Sequence, residues 1–206
     1  MIPLRDDQPS PAFPFVTYGL IAANVALFVH ELRLGPALEP FVREFGLVPA
    51  RISRSTELGA RFFPFVSSMF LHGGVLHLAG NMLYLHIFGD GVEGRLGHAR
   101  FLAFYLACGI AAGALQVAMF PSSTLPMVGA SGAIAGVTGA YFLFFPFARI
   151  VTLVPIPLVT RFVRVPAVLF LFLWFVLQLA YGSATLGVKG ANAGGVAWWA
   201  HVGGFL

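Results

Sequence analysis

Ser131 stands in the run Gly129-Ala130-Ser131-Gly132, and two further polar groupings interrupt apolar surroundings: His72, His77 and Asn81 in one, His201 followed by Gly203 and Gly204 in the other. A serine hydroxyl is a poor nucleophile until a neighbouring base takes its proton, and neutral imidazole has a suitable pKa for that. His201 is the expected base. Attack on a carbonyl creates an oxyanion that needs preorganised donors. The Asn81 amide, the His77 ring N–H and the Ser131 backbone N–H are the candidates. His77 and Asn81 are spaced to share one face of a helix. For His72, a place beside the site competes with a structural hydrogen bond to the preceding loop. Gly129 and Gly132 allow a tight turn and close approach of a substrate backbone.

A third, acidic member is harder to find. The eight acids are Asp6, Asp7, Glu31, Glu39, Glu44, Glu57, Asp90 and Glu93, and none falls near the depth expected for Ser131 and His201. A Ser-His dyad is therefore expected rather than a Ser-His-Asp triad, with His201 held by packing.

The elements that must position these groups follow from where charge is missing. Of the 206 residues 58% are hydrophobic and only 10% charged, against about 25% charged in a soluble domain. An ordinary soluble globule is excluded. The net charge of +4 comes from 12 basic and 8 acidic residues, too few for a nucleic-acid surface. The single Cys108 cannot form an internal disulfide. Long stretches free of Asp, Glu, Lys and Arg cover Phe62–Gly89, Phe101–Ala148, Val165–Val188 and Gly190–Leu206, and such stretches suit a bilayer, where a central charge is expensive. Pro121 and Pro126 mark a turn within the longest.

The resulting expectation is an all-α polytopic membrane protein, with a cytoplasmic tail at 1–14 and a membrane domain at 15–206. Its helices lie at about 15–32, 74–90, 100–120, 131–146, 166–182 and 196–206. The apolar, arginine-bearing loop between the first two should lie on the membrane surface in short helices. The sixth segment is only about 16 Å long at 1.5 Å per residue, so it is expected to be cut short and the chain truncated. The second, fourth and sixth segments enter from the same side, which puts His77, Ser131 and His201 within roughly 10 Å of one depth. Gly132, Gly136 and Gly139, with Gly203 and Gly204, offer small surfaces for close helix contact. The 12 basic residues divide evenly between the two sides, Lys189 included, so charge bias does not orient the bundle.

Taken alone, Gly-Ala-Ser-Gly reads as a helix-packing face, and His77 with Asn81 as an interhelical hydrogen-bond pair. Their companions reverse that reading. Cys108 reads as packing, Glu93 with Arg95 as a structural ion pair or loop anchor, and His30, His86 and His98 as solvated or interfacial.

In their order along the chain, His72-Gly-Gly-Val-Leu-His77-Leu-Ala-Gly-Asn81, Gly129-Ala-Ser131-Gly132 and Ala200-His201-Val-Gly-Gly204 resemble the rhomboid intramembrane serine proteases. Val92-Glu93-Gly94-Arg95-Leu96-Gly97 is similar to the family's glutamate and arginine loop, and Gly46-Leu47-Val48-Pro49 to its first-loop segment. The resemblance spans residues 15–206. It implies a six-helix rhomboid-like bundle with cytoplasmic termini, Ser131 as nucleophile, His201 as general base, and His77 with Asn81 at the oxyanion hole. It also implies transmembrane protein substrates within a lipid bilayer, and no metal or cofactor. The expected location is the plasma membrane of a bacterium. Two departures stand out. Phe63-Pro64 replaces a family Trp-Arg pair that bears on the first loop. Ala135 replaces an aromatic that packs on the histidine in some members, so His201 must take its packing from elsewhere, such as Trp198 or Trp199. The alternatives are a catalytically inactive rhomboid-like protein that binds transmembrane clients, and a small transporter, for which the expected inverted repeats are absent.

Overall fold

The computed structural model describes residues 1–8, 12–156, 159–186 and 196–206. Lys189 and residues 190–195, which the sequence assigns to the link before the sixth segment, lie outside the described residues. Along the chain run strand β1 (Ile2–Arg5), helix α1 (Phe15–Arg33), three short helices α2 (Leu38–Phe45), α3 (Pro49–Arg54) and α4 (Leu58–Ser67), then α5 (Val75–Leu96), α6 (His98–Met119) and α7 (Ser131–Phe144). A hairpin of β2 (Arg149–Ile156) and β3 (Val159–Pro166) leads to α8 (Ala167–Thr185), and α9 (Trp198–Phe205) follows.

Among the described residues three helices, α1, α6 and α8, are long and apolar enough to cross a membrane. Helix α5 passes that test only together with α4, from which it is bent by 87°. Helix α7 is apolar but shorter, and α9 has eight residues. The chain that precedes α7, residues 120–130, is non-helical and is stitched to the first loop. Leu47 and Met127 exchange backbone hydrogen bonds of 3.0 and 2.8 Å, and Ala50 N–H donates to the Ser123 carbonyl.

The first loop has its own fastening. The Arg51 guanidinium donates to the carbonyls of Arg43, Glu44 and Gly46 at 2.8, 2.7 and 3.1 Å, which are the last acceptors of α2 that its own helix leaves unpaired. Phe63 sits against Phe45, and Pro64 lies inside α4.

Helix α7 is the centre of the bundle, with Gly132 through Gly139 all buried. Small residues let the neighbours come in to backbone distance. A Cβ on Gly136 would strike Cys108 Sγ on α6, one on Gly139 would strike the Phe205 carbonyl, and one on Gly204 would strike the Gly132 carbonyl. A Cβ on Gly203 would meet Leu115 of α6 at 2.8 Å. Helix α9 is therefore wedged between α6 and α7 with no room for a methyl group, and Cys108 is part of that packing.

At the far end of the bundle the structure adds a feature the sequence reading did not place. Strands β1, β2 and β3 form an antiparallel sheet in that order, with Ile150 opposite Val165, Thr152 opposite Val163, and Arg5 opposite Val151. Residues 1–14, read as a tail, thus supply a strand. Arg149, Arg161 and Arg164 lie on these strands. Alternating β-branched residues carry the signal: Ile150 and Thr152 turn inward and are fully buried. Asp7 accepts from the Arg149 N–H at 2.8 Å, and the Tyr141 hydroxyl donates to Asp6.

Helix α5 runs to Leu96, past the expected end near 90, and ends at Gly97, whose φ of +80° suits a residue without a Cβ. Its extra turn carries Glu93, which is buried and accepts from Val16 N–H (2.9 Å), Thr17 N–H (2.7 Å) and Thr17 Oγ1 (2.7 Å), and pairs with His98 Nδ1 (2.5 Å). These are the orphan donors of the first turn of α1, where negative charge is favourable. Glu93 is an anchor, and the side chain paired with it is His98; Arg95 is exposed.

Candidate active site

Ser131 is the first residue of α7 and His201 lies in α9. The close packing of these two helices brings Ser131 Oγ and His201 Nε2 to 2.8 Å. That is hydrogen-bond distance, the separation a serine and a histidine need if one is to activate the other. The chain turns into α7 through Gly129, whose φ is +124° and whose N–H donates to the Ser68 carbonyl at 2.9 Å. An L-residue here would be strained, and its Cβ would lie 2.8 Å from the His77 ring. Gly132 serves the other side, where a Cβ would strike Ala112 of α6.

His77 and Asn81 project from α5 toward Gly129, with Asn81 Nδ2 3.5 Å from the position a Cβ would occupy there. Ser131, His201, His77 and Asn81 line one cavity of about 720 Å³, with Trp174 also in its wall. The hydrogen bonds fix the sense of several groups. His77 Nδ1 accepts from the Gly73 N–H at 3.4 Å, which leaves the proton on Nε2, the nitrogen next to Gly129. Asn81 Nδ2 donates to His72 Nε2 at 2.9 Å, and one amide N–H of Asn81 stays available. His72 is buried behind Asn81, and its backbone N–H donates to the Glu31 carboxylate at 3.2 and 3.4 Å. The His72 side chain therefore supports Asn81 while its backbone ties the loop to α1.

The packing of His201 comes from one of the two expected tryptophans and from a third that was not expected. Trp198 does meet the His201 ring edge-on, at 6.3 Å between centroids, but Trp199 points away and donates from Nε1 to the Gly182 carbonyl of α8. Trp174 of α8, at 5.9 Å, supplies the second face.

Sequence reasoning missed one polar partner altogether. Gln178 of α8 is buried, and its Oε1 lies 2.8 Å from His201 Nδ1 while its Nε2 donates to the Trp174 carbonyl at 3.2 Å. The search for a third group looked for acids only; a lone glutamine in a helix of Leu, Phe and Ala was the available signal.

Among the described residues no cluster of His, Cys, Asp or Glu has the arrangement to hold a metal ion. The chemistry available is that of a serine, two imidazoles and amide donors around one cavity: nucleophilic attack with proton transfer, beside N–H groups able to meet an oxyanion.

The family model of the Rhomboid domain matches residues 59–206. The chain is 37% identical over 128 residues to Rhomboid protease GluP of Bacillus subtilis, covering 62% of this chain and 24% of that protein. It is 32% identical over 148 residues to the mitochondrial Rhomboid protein 1 of Saccharomyces cerevisiae, covering 69% and 40%. It is 28% identical over 142 residues to Rhomboid protease AarA of Providencia stuartii, covering 63% and 50%. The chain thus spans half or less of the length of these relatives. With the matched domain extending over most of its residues, this chain, an integral membrane protein built around α7, belongs to the rhomboid family.

Proposed function

We propose that the chain is an intramembrane serine endopeptidase that cuts peptide bonds in or near transmembrane segments, with Ser131 as nucleophile and His201 as general base. Membership of the rhomboid family supports an intramembrane protease function, and rhomboid proteases act on transmembrane substrates in a lipid bilayer. The observation that carries the finer reading is the 2.8 Å contact between Ser131 Oγ and His201 Nε2 at the wall of a cavity shared with His77 and Asn81.

In the proposed reaction Ser131 Oγ attacks the scissile carbonyl carbon as its proton passes to His201 Nε2. The carbonyl oxygen takes up the negative charge and is met by His77 Nε2–H, the free Asn81 N–H and the Ser131 backbone N–H. Such donors act without reorganising when charge develops, which is where electrostatic catalysis is strongest. The tetrahedral species collapses, the C–N bond breaks, and His201 returns its proton to the leaving amine. A water then attacks the acyl-serine ester as His201 accepts its proton; the ester C–O bond breaks, His201 returns that proton to Ser131 Oγ, and the new carboxylic acid departs and ionises. Gly129, Gly132 and His72 support this arrangement through the turn, the α6 contact and the bond to Asn81.

We place the protein in the plasma membrane of a bacterium, a location supported by its likeness to proteins of Bacillus subtilis and Providencia stuartii. A fluorophosphonate probe tests the chemistry. It labels the parent chain at Ser131 and leaves His201→Ala unlabelled; a folded parent that neither reacts with the probe nor cleaves transmembrane substrates would instead be an inactive relative that binds transmembrane clients.

A further inference from the structure

His201 has two ring nitrogens, and a general base must present the unprotonated one to its serine. Packing can fix the plane of the ring, but Trp174 and Trp198 make no hydrogen bond to it and cannot choose between tautomers. The choice falls to whatever faces Nδ1. The only side chain hydrogen-bonded there among the described residues is Gln178, 2.8 Å away.

We infer that Gln178 is a positioning residue for the proposed reaction: its amide oxygen holds the Nδ1 proton of His201 and so turns the lone pair of Nε2 toward Ser131. This rests on the reading of Ser131 and His201 as nucleophile and base. An amide could turn either end toward the ring, but the Trp174 carbonyl accepts a hydrogen bond at 3.2 Å from the other end of the group. Only Nε2 can donate that bond, so Oε1 is the atom left facing His201. An acceptor opposite Nδ1 requires a proton on Nδ1. Ser131 Oγ–H then donates to Nε2 at 2.8 Å, the sense required for proton removal.

The type of residue fits its solvent. Gln178 lies within α8, one of the three helices long and apolar enough to span the membrane. An ionised carboxylate at such a depth costs about 2.5–3.5 kcal/mol even on lenient insertion scales. An amide oxygen accepts the same hydrogen bond without carrying a charge. The groups facing the imidazole are Ser131 from α7, Trp174 and Gln178 from α8, and Trp198 from α9, and His77 from α5 lines the same cavity. No carboxylate is among them within the described residues. The orienting task that an aspartate performs in a water-exposed triad is carried here by a neutral side chain.

The test uses the detergent-solubilised chain with a transmembrane substrate, in parent, Gln178→Met, Gln178→Glu and Ser131→Ala forms. Nitrogen-15 NMR of His201, assigned by its absence in His201→Ala, reads the tautomer without reference to activity. The parent and Ser131→Ala should both show the proton on Nδ1, and Gln178→Met a mixture of tautomers. In Gln178→Met kcat should fall on the order of 10- to 100-fold, a share of the roughly 10²–10⁴ that a positioned general base supplies, with KM unchanged. Gln178→Glu, which can still accept from Nδ1–H, should recover most of that loss. A parent His201 protonated on Nε2, or a folded Gln178→Met with parental kcat and tautomer, overturns the inference. If Gln178→Met fails to fold, the parent tautomer and the Gln178→Glu rate still decide it. Loss of the whole reading looks different: Ser131→Ala would then cleave at the parental rate.

Discussion

At the sheet end of the bundle Glu93 takes bonds from Val16, Thr17 and His98, while Asp6 and Asp7 receive Tyr141 and the Arg149 N–H. At the cavity end the polar groups keep unused capacity. His77 spends Nδ1 on Gly73 and has its other nitrogen facing Gly129, Asn81 spends one N–H on His72, and Gln116 Oε1 is buried at the cavity without a partner among the described residues. The backbone differs in the opposite sense. Around the cavity α6, α7 and α9 lock at several glycine contacts that admit no methyl group, whereas the sheet end is held by strand pairing and by side chains reaching across long sequence distances. A rigid frame with unspent hydrogen bonds suits a site whose missing partners arrive with a substrate. Satisfied carboxylates suit an anchor.

Substitutions at the two ends should therefore separate activity from stability. His201→Ala is expected to lower cleavage at least 10³-fold, the scale on which loss of a catalytic base is felt, with little change in the thermal midpoint measured in the same detergent. Asn81→Ala should lower kcat by about 10²–10³-fold, the cost of removing one oxyanion donor, with KM nearly constant. A drop in stability large enough to explain the lost activity in either variant would erase the distinction between the two ends.

Glu93→Ala should do the reverse. Its loss strands the Val16 and Thr17 donors, at about 1–3 kcal/mol for each buried donor without an acceptor. Thermal or denaturant unfolding should report a loss of several kcal/mol, while cleavage per folded molecule stays within about twofold.

The smallest effect is a pH dependence at Asp6. Burial raises its carboxyl above the ordinary 3.8, and the Tyr141 hydrogen bond opposes part of that rise. An acid whose folded value is raised favours the fold when protonated, so its stabilising share is complete below the ordinary value and is lost as pH climbs through the raised one. In Asp6→Asn, which still offers Tyr141 an oxygen, thermal midpoints should vary less with pH in the range just above 3.8.

How far the sequence reached depended on what each signal measures. Charge-free stretches located the apolar helices because the bilayer penalises charge wherever it falls. The spacing of His77 and Asn81 and the glycines beside Ser131 and His201 pointed to the groups that the structure gathers around one cavity, since a proposed nucleophile, base and donors are constrained in type. The β-hairpin escaped because its arginines set it apart from the charge-free stretches, and the alternation of Ile150, Thr152 and Val154 is weaker than the hydropathy of the helices on either side. Glu93 read as one half of an Arg95 pair, because nothing local shows that residue 93 meets residues 16 and 17. Gln178 escaped for a related reason. The distance from 178 to 201 along the chain hides a contact that only the packing of α8 on α9 creates.

The central claim is that Ser131 performs the attack. The most direct measurement reconstitutes the parent and Ser131→Ala in liposomes with a transmembrane substrate and follows the appearance of the cleaved fragments. Fragments from the parent and none from an equally folded Ser131→Ala is the result the account predicts; cleavage at the parental rate by Ser131→Ala would contradict it.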